Sequence, residues 1–127
     1  MAMLSVAIFC VPSRSLAAAE QDYKKQVEPL LKNYCYDCHG DGANKGDVSL
    51  DGSTNFTSHL GNRKLWLAVW QNLQTQMMPP AKKPQPTDAE RRQITKWIER
   101  DVFKLDPENP EYLKTVRGVG YKFEASK

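Results

Sequence analysis

The most specific chemistry in the chain lies in Cys35-Tyr36-Asp37-Cys38-His39. Two cysteines two residues apart, followed at once by histidine, are what covalent haem attachment requires. Each thiol can add to one vinyl group of a porphyrin. His39 is then carried under the iron, where its imidazole can serve as the proximal ligand. Three other readings compete. A reversible Cys35–Cys38 disulfide of the thioredoxin kind wants a βαβ setting, which the sequence pattern lacks. A structural zinc site needs four ligands, and beyond the motif only His59 remains, with no second cysteine pair. A chance match in a loop is the third.

The second informative stretch is Met77-Met78-Pro79-Pro80. A thioether sulfur is a soft ligand suited to haem iron, and Met opposite His raises the reduction potential. Prolines directly after it stop a helix and hold an extended backbone. Met78, next to the prolines, is the expected distal ligand and Met77 the fallback. Without the upstream motif both would read as gap-filling core residues. His59 is the rival distal ligand, giving a bis-His haem; a lone His in a polar turn more often faces solvent.

Helices must hold these groups. The apolar series Tyr23, Val27, Leu30, Leu31, Tyr34 has helical spacing and predicts a helix over 21–34 running into the CxxCH motif. Pro29 either kinks it or starts its regular part. Residues 40–47, rich in Gly, Asn and Asp, read as turns. Asp41, Asp47 and Asp51 suit Asx turns; their spacing is not that of a calcium loop. Residues 48–56 read as an irregular segment wrapping the cofactor edge. Asn62 caps a helix expected over 63–76, with Trp66, Val69, Trp70 and Leu73 on one face. After the basic stretch Lys82-Lys83-Pro84, Thr87 and Glu90 form a capping box. The helix it opens runs to about Phe103, with Ile94, Trp97, Ile98 and Val102 inward and Arg91, Arg92, Lys96, Glu99 and Arg100 on the other face. Three helices bury a thin core, so a covalent apolar cofactor should supply much of the interior and the apo-protein should fold poorly.

Length and composition agree with one small domain. The chain has 127 residues, and 26% charged with 40% hydrophobic residues is ordinary for a soluble globular protein. A net charge of +3 is too weak to suggest a nucleic-acid binder. Residues 1–19 read as an export signal: Leu4 to Val11 is mostly apolar, and Ala17-Ala18-Ala19 offers a small-x-small cleavage site. The apolar run is far short of the roughly 20 residues of a membrane span. Cleavage after Ala19 would remove Cys10, the one cysteine outside the motif, and place the product in the periplasm or cell envelope.

In order, these parts resemble a class I cytochrome c: a first helix ending in CxxCH, a wrapping loop, a short helix, a Met-Pro ligand and a closing helix. Residues 22 to about 105 are similar more narrowly to the planctomycete-type cytochrome c domain. The similarity rests on Val27-Glu28-Pro29-Leu30-Leu31, Cys35-Tyr36-Asp37-Cys38-His39-Gly40-Asp41-Gly42, Lys45-Gly46-Asp47-Val48-Ser49-Leu50-Asp51, Trp66 to Leu73, Met78-Pro79-Pro80 and Trp97-Ile98. The resemblance implies an all-α fold of three to four helices around one covalent haem c. It also implies that Cys35 and Cys38 hold the haem and that His39 and Met78 are axial ligands. Many class I members have a proline between the motif and the Met whose carbonyl orients the proximal imidazole. No proline lies between His39 and Met78 here, so the group that orients His39 is open.

Residues 106–127 differ in kind. A linker, Asp106-Pro107-Glu108-Asn109-Pro110, precedes a β-prone stretch from Tyr112 to Phe123 that reads as a hairpin. It resembles the wing hairpin of winged-helix response regulators, in which Arg117 would touch DNA. The helix-turn-helix that reads bases is absent, so DNA binding is a remote alternative. The expected function is electron transfer by a monomeric module with an acidic redox partner, steered by Lys82 and Lys83. A haem enzyme or sensor with a displaceable Met78 is the rival.

Overall fold

The computed structural model describes residues 14–104. The expected tail hairpin and Arg117 lie outside the described residues, as do residues 1–13 of the expected leader. The remainder is helical: α1 (Leu16–Asp22), a π turn (Tyr23–Val27), α2 (Glu28–Tyr34), α3 (Tyr36–His39), α4 (Phe56–Gly61), α5 (Arg63–Gln74), α6 (Asp88–Trp97) and a second π turn (Ile98–Val102). No described helix is long and apolar enough to cross a membrane.

The first helical rod starts earlier than the apolar spacing indicates. Ser15 caps it by accepting from the Ala18 N–H, so Leu16–Ala19 forms the opening of α1. Of the two readings of Pro29, the second holds: the regular α-helix begins beside it, at Glu28. A proline ring crowds the carbonyl four residues back and leaves it without a donor. The turn just upstream is widened, and the Glu28 N–H bonds back to the Tyr23 carbonyl. Pro29 then falls in the first turn of α2, where a missing N–H costs nothing.

Helix α4 is an addition to the expected elements. Asn55 accepts from the Ser58 N–H and starts it inside the stretch read as irregular. Six residues with three inward side chains, Phe56, His59 and Leu60, are too short a run for periodicity to reveal. Helix α5 ends two residues before the expected 76, because Gln76 adopts a left-handed φ of 57°. The capping box of α6 forms as expected, with Thr87 bonded to the Glu90 N–H and Glu90 to the Thr87 N–H.

The core is one cluster joining the first rod, α5 and α6. Ile94, Trp97, Ile98 and Val102 face inward as their spacing requires, against Trp66, Trp70, Leu73, Val27 and Leu31. Apart from His59, the buried polar side chains are paired. The Asp101 carboxylate is held by Arg14 at 2.6 Å and Arg100 at 2.7 Å. Trp97 Nε1 donates to the Ala19 carbonyl and Trp70 Nε1 to Glu99.

His59 is a correction. It is not an exposed turn residue but 6% accessible, edge-on to Trp66 and Tyr23 with ring centroids 4.9 Å away in both cases. Its Nε2 has no hydrogen-bond partner among the described residues. Burial therefore holds the imidazole below its usual range, with Glu28 opposing weakly. A depressed folded value means stability present above the unfolded pKa, about 6.5, and lost as pH falls through the folded one. Thermal melts of His59→Phe should lose this acid-side fall in midpoint that the wild type shows below pH about 6.5.

Candidate haem-binding cleft

The end of α2 builds the site's lower wall. The Cys35 N–H still bonds to the Leu31 carbonyl at 2.8 Å, but the Cys35 backbone leaves regular helix there. A new turn, α3, follows, with the His39 N–H on the Cys35 carbonyl at 2.9 Å. Cys35, Cys38 and His39 thereby line one cleft together with Tyr34.

His39 is oriented by the wrapping segment. With its proton on Nδ1 it donates to the Val48 carbonyl at 3.3 Å, leaving Nε2 with a free lone pair. The Leu50 N–H closes the same loop on the His39 carbonyl at 2.7 Å. With no proline between His39 and Met78, the group in hydrogen-bond reach of the His39 ring is thus a backbone carbonyl at the start of the wrapping segment. The turns that deliver Val48 are held by Asp51, which accepts from the Asp41 N–H and from Ser49. These bonds are not Asx turns: the Asp51 carboxylate reaches across ten residues to the Asp41 N–H, and Asp41 and Asp47 serve the turns by adopting left-handed φ of 49° and 59°. Among the described residues no group of three or more His, Cys, Asp or Glu gathers to hold a metal ion.

The opposite wall is one face of α5: Leu65, Ala68, Val69, Asn72 and Leu73. Met78 and Pro79 complete it, while Met77, 69% exposed, is not among the lining residues. The chain reaches this position through the Asn72 carbonyl, which accepts from both the Met77 and Met78 N–H groups. His59 does not line the cleft either; it belongs to the aromatic core. The cleft holds about 730 Å³ of empty space, solvent at its mouth included. Apart from Tyr34, His39 and Asn72 its side chains are apolar or sulfur-bearing, as a large flat porphyrin with two thioether attachments requires. The donor set fits covalent haem.

The Cys35 thiol is poorly suited to exchange chemistry. Burial pushes the Cys35 thiol up to about 11, the charge of Arg91 offsetting only part of this. A thiol in that state is protonated at neutral pH and a poor nucleophile for disulfide exchange.

Two residues differ from the expected arrangement. Arg91, placed by its charge on the outer face of α6, is buried, with Nη1 2.9 Å from the Met78 carbonyl. Its position three residues before Ile94, on the inward stripe, was the available signal. Lys83 pairs with Asp37 inside the CxxCH motif at 3.1 Å, on the exposed surface.

Gly40 closes the motif. A Cβ there would lie 2.5 Å from the ring of Tyr36, which is itself buried. Gly40→Ala should therefore destabilise the protein by about 1–3 kcal/mol through displacement of Tyr36, measured by denaturant unfolding.

Residues 35–82 match the family model for Planctomycete cytochrome C. No curated protein and no solved structure matches the chain. The matched span runs from Cys35 past Met78-Pro79-Pro80, a narrower stretch than the expected 22 to about 105. The match takes in every lining residue of the cleft but Tyr34, and over residues 35–82 the chain is similar to the planctomycete cytochrome c family, a class that implies covalently bound haem c.

Proposed function

We propose that the chain is a c-type electron-transfer module with one haem, attached through Cys35 and Cys38 and ligated axially by His39 and Met78. The observation that carries this reading is that both cysteines, the histidine and Met78, but not Met77, line one apolar cleft. Haem iron supplies a one-electron ferrous/ferric couple. The protein's part is to fix the ligands and exclude water. Val48 holds the His39 ring by its Nδ1 proton, which keeps the other nitrogen available. Leu65, Val69 and Leu73 keep the cleft walls dry. With both axial positions filled, no substrate is required at the metal, and the module acts as a carrier rather than an enzyme.

A redox partner with an acidic face suits the net charge of +3. Lys82 is the better steering residue, because Lys83 is engaged with Asp37. Export with cleavage after Ala19 is part of the proposal; it would remove Arg14 and leave Arg100 as the partner of Asp101. The second reading, a haem enzyme or sensor in which Met78 leaves, draws on one observation: Met78 is 41% exposed, on a segment outside the helices. A low-spin ferric spectrum supports the carrier, and a high-spin one with an open position supports the rival.

Expressed with a haem-ligation system, the protein should keep its haem on a denaturing gel, and Cys35→Ala/Cys38→Ala should run colourless. A wild-type band without haem overturns the proposal. Met78→Ala should lose the sulfur-to-iron charge-transfer band and shift to a lower reduction potential, whereas Met77→Ala should keep both. Equal spectra for the two variants would defeat the assignment of Met78.

A further inference from the structure

The segment that carries Met78 has no helix or strand of its own to hold it, yet five hydrogen bonds from two side chains converge on its backbone carbonyls and on the turn before it. Arg91 Nη1 donates to the Met78 carbonyl at 2.9 Å and to the Leu73 carbonyl, at the end of α5, at 3.5 Å. Gln85 Nε2 lies within hydrogen-bond distance of the carbonyls of Pro79, Pro80 and Lys83, at 3.1, 2.9 and 3.1 Å. The two side chains are joined: Arg91 Nη2 donates to Gln85 Oε1 at 2.6 Å. Arg91 is anchored on α6 and is itself buried.

A buried guanidinium is costly to desolvate, and no carboxylate is within hydrogen-bond distance of this one among the described residues. Its donors are satisfied by carbonyl oxygens and an amide oxygen. Prolines at 79 and 80 lack N–H groups, so at those two positions the segment can be held only through its carbonyls. A planar fork and a terminal amide are the donor types that can take several carbonyls at once.

We infer that Arg91 and Gln85 are positioning residues that clamp the Met78 segment closed over the cleft and so govern how readily Met78 gives way to another ligand. The inference rests on the reading of Met78 as distal ligand. In a clamp of this kind the segment opens rarely, and an added ligand binds iron only in the open form. Its apparent affinity is then reduced by the open fraction. Loosening the clamp raises that fraction and strengthens binding of the competitor, even though neither residue touches the iron.

The test is imidazole titration of the ferric holoprotein, followed by loss of the sulfur-to-iron band. Gln85→Ala, which removes three contacts to the segment and the bond from Arg91 with one exposed side chain, should bind imidazole roughly tenfold or more tightly than the wild type. Arg91→Lys keeps the charge but loses the fork, and should do the same; should that variant not fold, Gln85→Ala carries the test alone. Gln93→Ala is the control. It removes a bond from α6 to the Gln26 carbonyl at 2.7 Å, away from the segment, and should leave the imidazole affinity unchanged. Wild-type affinity in Gln85→Ala, with the sulfur band present in both proteins, overturns the clamp. Equal tightening in Gln93→Ala also overturns it, by making the effect one of general stability. A wild-type protein without the sulfur band overturns the Met78 reading and the clamp with it.

Discussion

Tyr23, Trp66 and Trp97 meet ring to ring, and the geometry of the cleft depends on that meeting. Trp66 packs edge-on to Trp97 with centroids 5.2 Å apart, and Tyr23 lies 5.0 Å from Trp97 and 6.2 Å from Trp66. One ring comes from each of the three rods, so the contact fixes the mutual position of the first rod, α5 and α6. Aromatic pairs of this kind add about 0.5–1.5 kcal/mol each beyond the area they bury. The consequence is positional. The C-terminal end of α2 and one face of α5 become facing walls, with the chain after α5 brought across between them.

The cleft therefore lies beside the core rather than inside it. Leu73 is shared, lining the cleft and belonging to the buried cluster. Leu65 and Val69 pack against that cluster from the cleft side. An apolar cofactor seated there would continue an interior that the aromatic contact has already begun. The segments between the helices are pinned mainly by backbone: His39 to Val48 and Leu50, and Met77 and Met78 to the Asn72 carbonyl. Backbone acceptors do not vary with side-chain identity, which explains how the turn region can orient the imidazole without a proline.

Charge is buried at two places, with different partners. Asp101 is satisfied by two arginines, an arrangement that repays desolvation only because every carboxylate oxygen is hydrogen-bonded. Arg91 has no acid partner among the described residues and is satisfied by neutral oxygens, next to the segment carrying Met78. The first site ties the start of the rod to its end-to-end neighbour. The second ties α6 to the cleft. Both lie at points where a purely apolar contact would give attraction without direction.

The attachment motif, the methionine-proline stretch, the capping box and the inward stripe of α6 were legible in the residue order. Each depends on neighbours within one or two turns, and local geometry follows from local sequence. The same holds for the all-α class. The partner of the His39 ring, the burial of His59 and Arg91, the early start of α1 and the choice of Met78 over Met77 at the cleft were decided only by tertiary packing. His39 meets a carbonyl nine residues away across a turn without periodicity. Arg91 meets one thirteen residues away across the break between α5 and α6. His59 is polar by composition and buried because two large rings close over it. Sequence fixes which groups are present and which helix face they share. Which of two adjacent sulfurs turns toward a cleft depends on the course of the backbone after a left-handed residue at Gln76, and that course is set by contacts with a helix still to come.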